Sequence, residues 1–139
     1  MSHWTGSLII EHDISGGRQR VRPLQPLVWE IGYIGSGDLL IVEADGRWFD
    51  GLSIPRCLEW IAERTGRGLR AAITHDDLIT QLREGRPDPR FPDRLSIDRL
   101  FEEQLKASGF GKLRRGVLYA GARIGAHFPS LARLAVYEP

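Results

Sequence analysis

The sequence has one cysteine, almost no net charge and no long apolar run, and each shortage excludes a class of protein. Cys57 is the only cysteine among 139 residues, so an internal disulfide is impossible and a cysteine-based zinc site is not expected. No apolar run approaches the ~20 residues that span a bilayer. The first residues lack the basic and apolar regions of a signal peptide. We therefore expect synthesis in a reducing cytoplasm and no transmembrane segment.

The charge balance argues against a nucleic-acid-binding protein. The chain has 19 basic and 18 acidic residues, a net charge of +1. Nucleic-acid binding normally needs a strong basic excess, so there is no strong nucleic-acid signal. Two local clusters, RTGRGLR at 64–70 and KLRR at 112–115, leave nucleic-acid binding as a third interpretation.

The order of the local patterns predicts one α+β domain over residues 1–139. Residues 1–50 are rich in β-branched and aromatic residues and have a turn signal at Asp45–Gly46. They predict an N-terminal antiparallel β-meander of four or five strands. Residues 55–135 have helical spacing and predict three to five helices packed on one face of the sheet.

Start and stop signals place these helices along the second half of the chain. A first helix begins near Pro55 and a second covers about 69–83. A third runs from a cap at Ser96 to about Ser108, with Gly109 as its stop. A long last helix covers about 112–127.

His75 is the first candidate functional residue. In AAITHDDLI at 71–79, most apolar side chains lie within about 60° of His75 on a helical wheel. His75 is therefore expected at the centre of a buried stripe, with Asp77 pointing to solvent. Antiparallel packing against the next helix would bring Asp98 to His75. A carboxylate on one ring nitrogen leaves the other nitrogen basic, as a general base requires, but the same pair also suits a structural clip.

The segment between the two halves, RWFDGLSIPR at 47–56, holds further candidates. Ser53 suits the cap of the helix that begins near Pro55. A simple strand-to-helix corner leaves Asp50 and Arg56 unexplained. If this corner folds over the start of the His75 helix, Asp50 and Asp76 could share a Ca²⁺ or Mg²⁺ ion.

Arg123 lies on the last predicted helix. Its spacing suits a solvated helix face or a salt-bridge partner, and it is also a candidate partner for an acidic site.

Four motifs in order resemble domain-of-unknown-function family 1353, which is common in tailed bacteriophages, prophages and related gene clusters. The motifs are an aspartate before Ser-Ile-Pro, an Ala-Ala-x-x-His-Asp helix, an Asp-x-x-Phe helix and a closing Tyr-x-x-x-Arg-x-Gly segment. They cover about residues 40–126 and correspond to Asp50 with Ser53–Pro55, Ala71–Asp76, Asp98–Phe101 and Tyr119–Gly125. The chain departs from the family at Asp77 and Ile79, where tyrosines are frequent, and at Phe49, where a small hydroxyl residue is frequent.

The pairing of His-Asp with a later Asp is also similar to that of secreted phospholipases A2. That resemblance implies that His75 activates water, Asp76 binds Ca²⁺ and Asp98 orients the histidine. The disulfides and the glycine-rich calcium loop of those enzymes are absent from this sequence.

Two functions follow from these observations. The first is a virion- or tail-associated accessory or assembly protein of a phage or prophage, which would join a particle through other phage structural proteins or its own copies. The first is the function we favour from the sequence; the alternative is a small His/Asp-dependent hydrolase acting on a lipid ester or cell-wall bond of the host envelope. In the hydrolase, His75 is the base, Asp98 orients it, and Asp50 with Asp76 holds an assisting cation.

Overall fold

The computed structural model describes residues 1–13, 20–49 and 68–112, together with 115, 116, 119, 120 and 123. It has the α+β character that the sequence predicts, with antiparallel strands first and helices after them. The elements are β1 His3–Thr5, β2 Ile10–Asp13, β3 Arg20–Pro23, β4 Leu27–Glu30, β5 Leu39–Val42, α1 Leu69–Arg83 and α2 Arg94–Ala107. None of the helices described is long and apolar enough to cross a membrane.

The chain separates into two compact units, Met1–Gly51 and Leu52–Pro139. The division falls where the sequence predicts the change from strands to helices. The expectation of a single domain remains a prediction.

The strands pair differently from a simple meander. β4 forms the centre of a three-stranded antiparallel sheet with β1 on one side and β5 on the other, while β2 and β3 form a separate antiparallel pair. β1 was not predicted, because three residues are too few to display an alternating pattern. The chain makes the β2–β3 pair before it returns, so β1 meets β4 instead of its neighbour in sequence.

The core of the first unit follows the alternation of its strands. Trp29 lies opposite Leu40 and Leu27 opposite Val42, and all four side chains are buried. Trp4 of β1 pairs with Trp29, and the two rings meet edge to face with their centroids 4.9 Å apart. One face of this short sheet thus carries the large apolar side chains.

α1 has the bounds that its helical spacing predicts, but α2 begins two residues before the predicted cap. Asp93 is the N-cap, and its carboxylate accepts a hydrogen bond from the backbone N–H of Ser96 at 2.8 Å. The hydroxyl oxygen of Ser96 accepts from the backbone N–H of Asp93 at 3.3 Å, which completes a capping box. Ser96 is therefore the third helical residue, so the predicted cap at Ser96 is wrong. Gly109, with φ +90°, follows the end of the helix as expected.

α1 and α2 pack antiparallel, as predicted. A Cβ built on Gly68, just before α1, would lie 3.6 Å from the side chain of Leu105, near the end of α2. His75 meets Asp98 near the beginning of α2. Early positions of one helix thus meet late positions of the other.

The structure describes two helices with defined bounds, fewer than the three to five predicted. The predicted helix that begins near Pro55 lies outside the described residues. Positions 112, 115, 116, 119, 120 and 123 are helical, and they fall within the predicted last helix.

Candidate functional site

The centre of the site is a direct contact between α1 and α2. Nε2 of His75 lies 2.6 Å from Oδ1 of Asp98. The Asp98 side chain has no exposed surface, whereas the His75 side chain keeps 15% of its surface exposed. The predicted juxtaposition of these two residues is confirmed, and the imidazole lies at the edge of the interior.

Two arginines bind the same carboxylate. Nη1 of Arg123 donates to Oδ2 of Asp98 at 2.9 Å, and Nε of Arg94 donates to Oδ1 at 3.3 Å. Arg123 is thus a partner of an acidic residue, one of the two alternatives that its spacing suggested. Arg94 was missed, although its position four residues before Asp98 on one helix is the spacing of a helical ion pair.

These contacts determine the charge of the buried carboxylate. Burial by itself raises the pKa of Asp98. The hydrogen bond and charge of His75, the charge of Arg94 and the hydrogen bond from Arg123 outweigh burial and hold the pKa below its ordinary value of 3.8. Asp98 is therefore an anion at neutral pH, held among cationic and hydrogen-bond-donating groups.

The imidazole is held by a ring contact as well as by the carboxylate. The centroid of its ring lies 5.0 Å from that of the buried Phe101, and the two planes are tilted by 51°. Nδ1 has no hydrogen-bond partner among the described residues. It is also not buried, because the buried polar atoms that lack a partner do not include it. One ring nitrogen is thus bound to Asp98, and the other is open to water or a ligand.

The interior face of α1 differs from the predicted stripe. Asp77, expected in solvent, is 3% exposed, and Nε2 of Gln81 donates to its Oδ2 at 2.9 Å. Thr74 and Ile73 are also buried, while His75 is only half-buried. The buried face is centred to one side of His75, because α1 is covered over a wider arc than one stripe of apolar residues implies. The predicted exposure of Asp77 and the predicted place of His75 at the centre of the buried stripe are therefore wrong.

Several predicted site residues lie outside the described part of the chain. Asp50, Ser53 and Arg56 belong to the stretch 50–67, so the Asp50–Asp76 cation site remains a prediction. Asp76 is half-buried on α1. The described residues contain no group of three or more His, Cys, Asp or Glu side chains that could hold a metal ion.

Gln104 is a polar residue that the sequence analysis missed. It is fully buried on α2, and neither its amide nitrogen nor its amide oxygen has a hydrogen-bond partner in the part of the chain that the structure describes. Its spacing from Leu100 and Phe101 places it within the apolar stripe of that helix, a signal that could have identified it. A buried amide without partners costs stability.

The family model described as "Protein of unknown function (DUF1353)" matches residues 27–122. The chain belongs to this family. The DUF1353 match begins in β4, earlier than the motifs that suggested the resemblance, and it includes both His75 and Asp98. No curated protein and no solved structure matches the chain.

Proposed function

We propose that the chain is a small hydrolase that acts on a bond of the host envelope. In this enzyme His75 is the general base and Asp98 orients it. One observation carries this proposal: Nε2 of His75 is bound to a buried carboxylate while Nδ1 has no partner among the described residues. A neutral imidazole that donates its Nε2 proton to Asp98 has a lone pair on Nδ1. This is the protonation state that a general base needs.

The reaction follows from that lone pair. Nδ1 takes a proton from a water molecule as the water oxygen attacks the carbonyl carbon of a lipid ester or a cell-wall amide. The tetrahedral intermediate then expels the alcohol or amine, which receives the proton from Nδ1. Asp98 stabilises the imidazolium that forms between the two steps. The guanidiniums of Arg94 and Arg123 offset part of its charge, so positioning is the larger part of its role.

The cation and the corner residues stay part of the proposal as predictions. Asp50 and Asp76 are the proposed ligands of a Ca²⁺ or Mg²⁺ ion, and oxygen ligands of this type suit either ion. Ser53 and Arg56 are the proposed residues of the adjoining corner. The proton transfers above involve Nδ1 of His75, and Asp98 orients the ring without taking a proton.

The test is hydrolysis by the full chain and by His75→Gln. Glutamine keeps an N–H that can donate to Asp98, so we expect this variant to fold. We expect its rate to fall by about 10²- to 10⁴-fold, because it has no basic nitrogen. The substrates are vesicles of phosphatidylethanolamine and phosphatidylglycerol, and purified peptidoglycan sacculi, and the readouts are released fatty acid and released soluble fragments.

Arg99→Gln is the matched control for this assay. Arg99 is exposed on α2 and makes no bond to Asp98, so its replacement should leave the rate unchanged. A wild-type chain that cleaves neither substrate, or a His75→Gln variant as active as the wild type, would contradict the proposal.

A second candidate is an accessory or assembly protein of a phage or prophage-type particle, made in the bacterial cytoplasm and incorporated in the particle. An exposed loop supports this candidate. The carboxylate of Glu30 accepts hydrogen bonds from the backbone N–H groups of Gly35 and Gly37 at 2.9 and 3.4 Å. The side chains at its tip, Tyr33 and Ile34, are 65% and 79% exposed. A held loop with two large exposed side chains suits a contact with another protein.

In this second candidate the cluster of Asp98 with His75, Arg94 and Arg123 is a structural clip. It stiffens the helical half of the chain, for which the sequence predicts three to five helices. The test is the incorporation of a Tyr33→Ser, Ile34→Ser double variant into particles purified from a producing host, measured by mass spectrometry. Leu24→Ser is the control, because Leu24 is also exposed in the first unit but lies outside this loop. Particles that take up the double variant as well as the wild type would exclude the loop as the contact.

A further inference from the structure

The two oxygens of Asp98 have different partners. Oδ1 accepts from Nε2 of His75 at 2.6 Å and from Nε of Arg94 at 3.3 Å. Oδ2 accepts from Nη1 of Arg123 at 2.9 Å, and Arg123 is its only side-chain partner among the described residues. Arg94 is on the same helix as Asp98, whereas Arg123 comes from a helical position 25 residues further along the chain.

This division constrains the rotation of the carboxylate. A carboxylate with two equivalent oxygens can turn about its Cβ–Cγ bond and present either oxygen, or neither, to a neighbouring ring. A donor on Oδ2 fixes the plane of the group, so that Oδ1 faces Nε2. Since Asp98 is fully buried, water cannot easily replace that donor when it is removed.

We infer that Arg123 is a positioning residue for the His75–Asp98 pair and selects the ring tautomer in which Nε2 carries the proton. Arg94 has a different role, because it shares Oδ1 with the imidazole and therefore competes for the same oxygen. Removal of Arg94 leaves Oδ1 to His75 alone, whereas removal of Arg123 leaves Oδ2 without its donor. The catalytic consequence of this inference rests on the proposed function, but the tautomer itself does not.

The test reads the tautomer directly, from the two ring ¹⁵N chemical shifts of His75 in the full chain. In the wild type we expect the shifts of an imidazole protonated at Nε2. In Arg123→Gln we expect the two shifts to move toward each other as the tautomers mix, and Arg94→Gln should leave them in the wild-type order. Arg99→Gln, on the same helix as Asp98 but without a bond to it, is the control.

Arg123→Met, which keeps an apolar side chain of similar reach without a donor, replaces Arg123→Gln in the test if Arg123→Gln does not fold. Arg123→Lys keeps one charged donor and serves as the conservative rescue. We expect it to restore the wild-type order of the two shifts. On the vesicle or sacculus substrate, kcat for Arg123→Gln should fall by up to about 100-fold with little change in KM, because misplacement of the base affects the chemical step.

The outcomes separate this inference from the proposed function. Identical His75 shifts in the wild type and in Arg123→Gln, or in Arg123→Met where that variant replaces it, overturn the inference. Shifts that move in Arg123→Gln and recover in Arg123→Lys support it. If they do so while the wild type hydrolyses neither substrate, the positioning role stands and the hydrolase is excluded.

Discussion

Replacement of Asp98 by asparagine tests the cluster most directly. The side chain of Asp98 is fully buried and receives donors from His75, Arg94 and Arg123. Asparagine has one acceptor oxygen, and its NH₂ group would face a donor at the other position. At least one charge-assisted hydrogen bond is therefore lost and one donor confronts another, while the carboxylate charge disappears.

The magnitude follows from burial. A hydrogen bond to a charged group contributes about 1.5–3 kcal/mol, and removal of one partner from a buried ionic cluster costs about 3–5 kcal/mol. Arg94 and Arg123 keep 29% and 24% of their side-chain surface exposed, so both can recover some hydration. We therefore expect Asp98→Asn to lower the free energy of unfolding by about 3 kcal/mol, at the lower end of that range.

The assay is equilibrium urea unfolding of the full chain, followed by circular dichroism at 222 nm. Asp45→Asn is the control, since Asp45 binds Arg47 in an ion pair whose side chains are 46% and 43% exposed. Its replacement should leave the midpoint almost unchanged. A loss below about 1 kcal/mol for Asp98→Asn, the contribution expected of an exposed pair, would refute the three-donor description of this carboxylate.

Three further predictions concern the same helices. Because the pKa of Asp98 is held below its ordinary value of 3.8, the carboxylate contributes fully to stability above that pH, and this contribution is lost as the pH falls through the folded-state pKa. The difference in unfolding free energy between wild type and Asp98→Asn should therefore shrink below about pH 4. A difference that stays constant with pH would be inconsistent with this linkage. Gln104→Leu should raise the unfolding free energy by about 1–3 kcal/mol, because its two buried amide atoms lack partners among the described residues, whereas Gln81→Leu should lower it by breaking the bond to Asp77. Changes of the same sign for both glutamines in urea unfolding would argue against this description. Gly109→Ala should lower the free energy of unfolding by about 1 kcal/mol, because φ at this position is +90° and a side chain there strains the backbone. An unchanged thermal midpoint would contradict that strain.

The two proposed roles of the cluster make different demands on His75. A clip needs only a donor to Asp98, which glutamine can supply, so His75→Gln should keep most of the stability and lose nothing else. A hydrolase needs the lone pair on Nδ1, which glutamine lacks. Hydrolytic activity of the wild type and of this variant therefore separates the two functions, and the stability of the variant shows that both proteins are folded.

Local periodicity by itself determined the helical elements around the site. The spacing in LRAAITHDDLITQLR predicts α1 at the bounds observed, and the stripes on two successive helices predict the meeting of His75 and Asp98. Gly109 marks the end of α2, because a left-handed residue after a helix is most easily a glycine. These features depend on residues within one or two helical turns, which a single sequence displays directly.

Tertiary packing decided the rest. The burial of Asp77 depends on how wide an arc of α1 is covered, and the pairing of β1 with β4 depends on where the chain returns after the β2–β3 pair. The convergence of Arg94 and Arg123 on the two oxygens of one carboxylate requires segments 29 residues apart to meet. Such contacts form because a buried charge must be compensated by donors that the fold brings to it. The four-residue spacing between Arg94 and Asp98 is a local signal, but no local pattern indicates that Arg123 meets the same carboxylate.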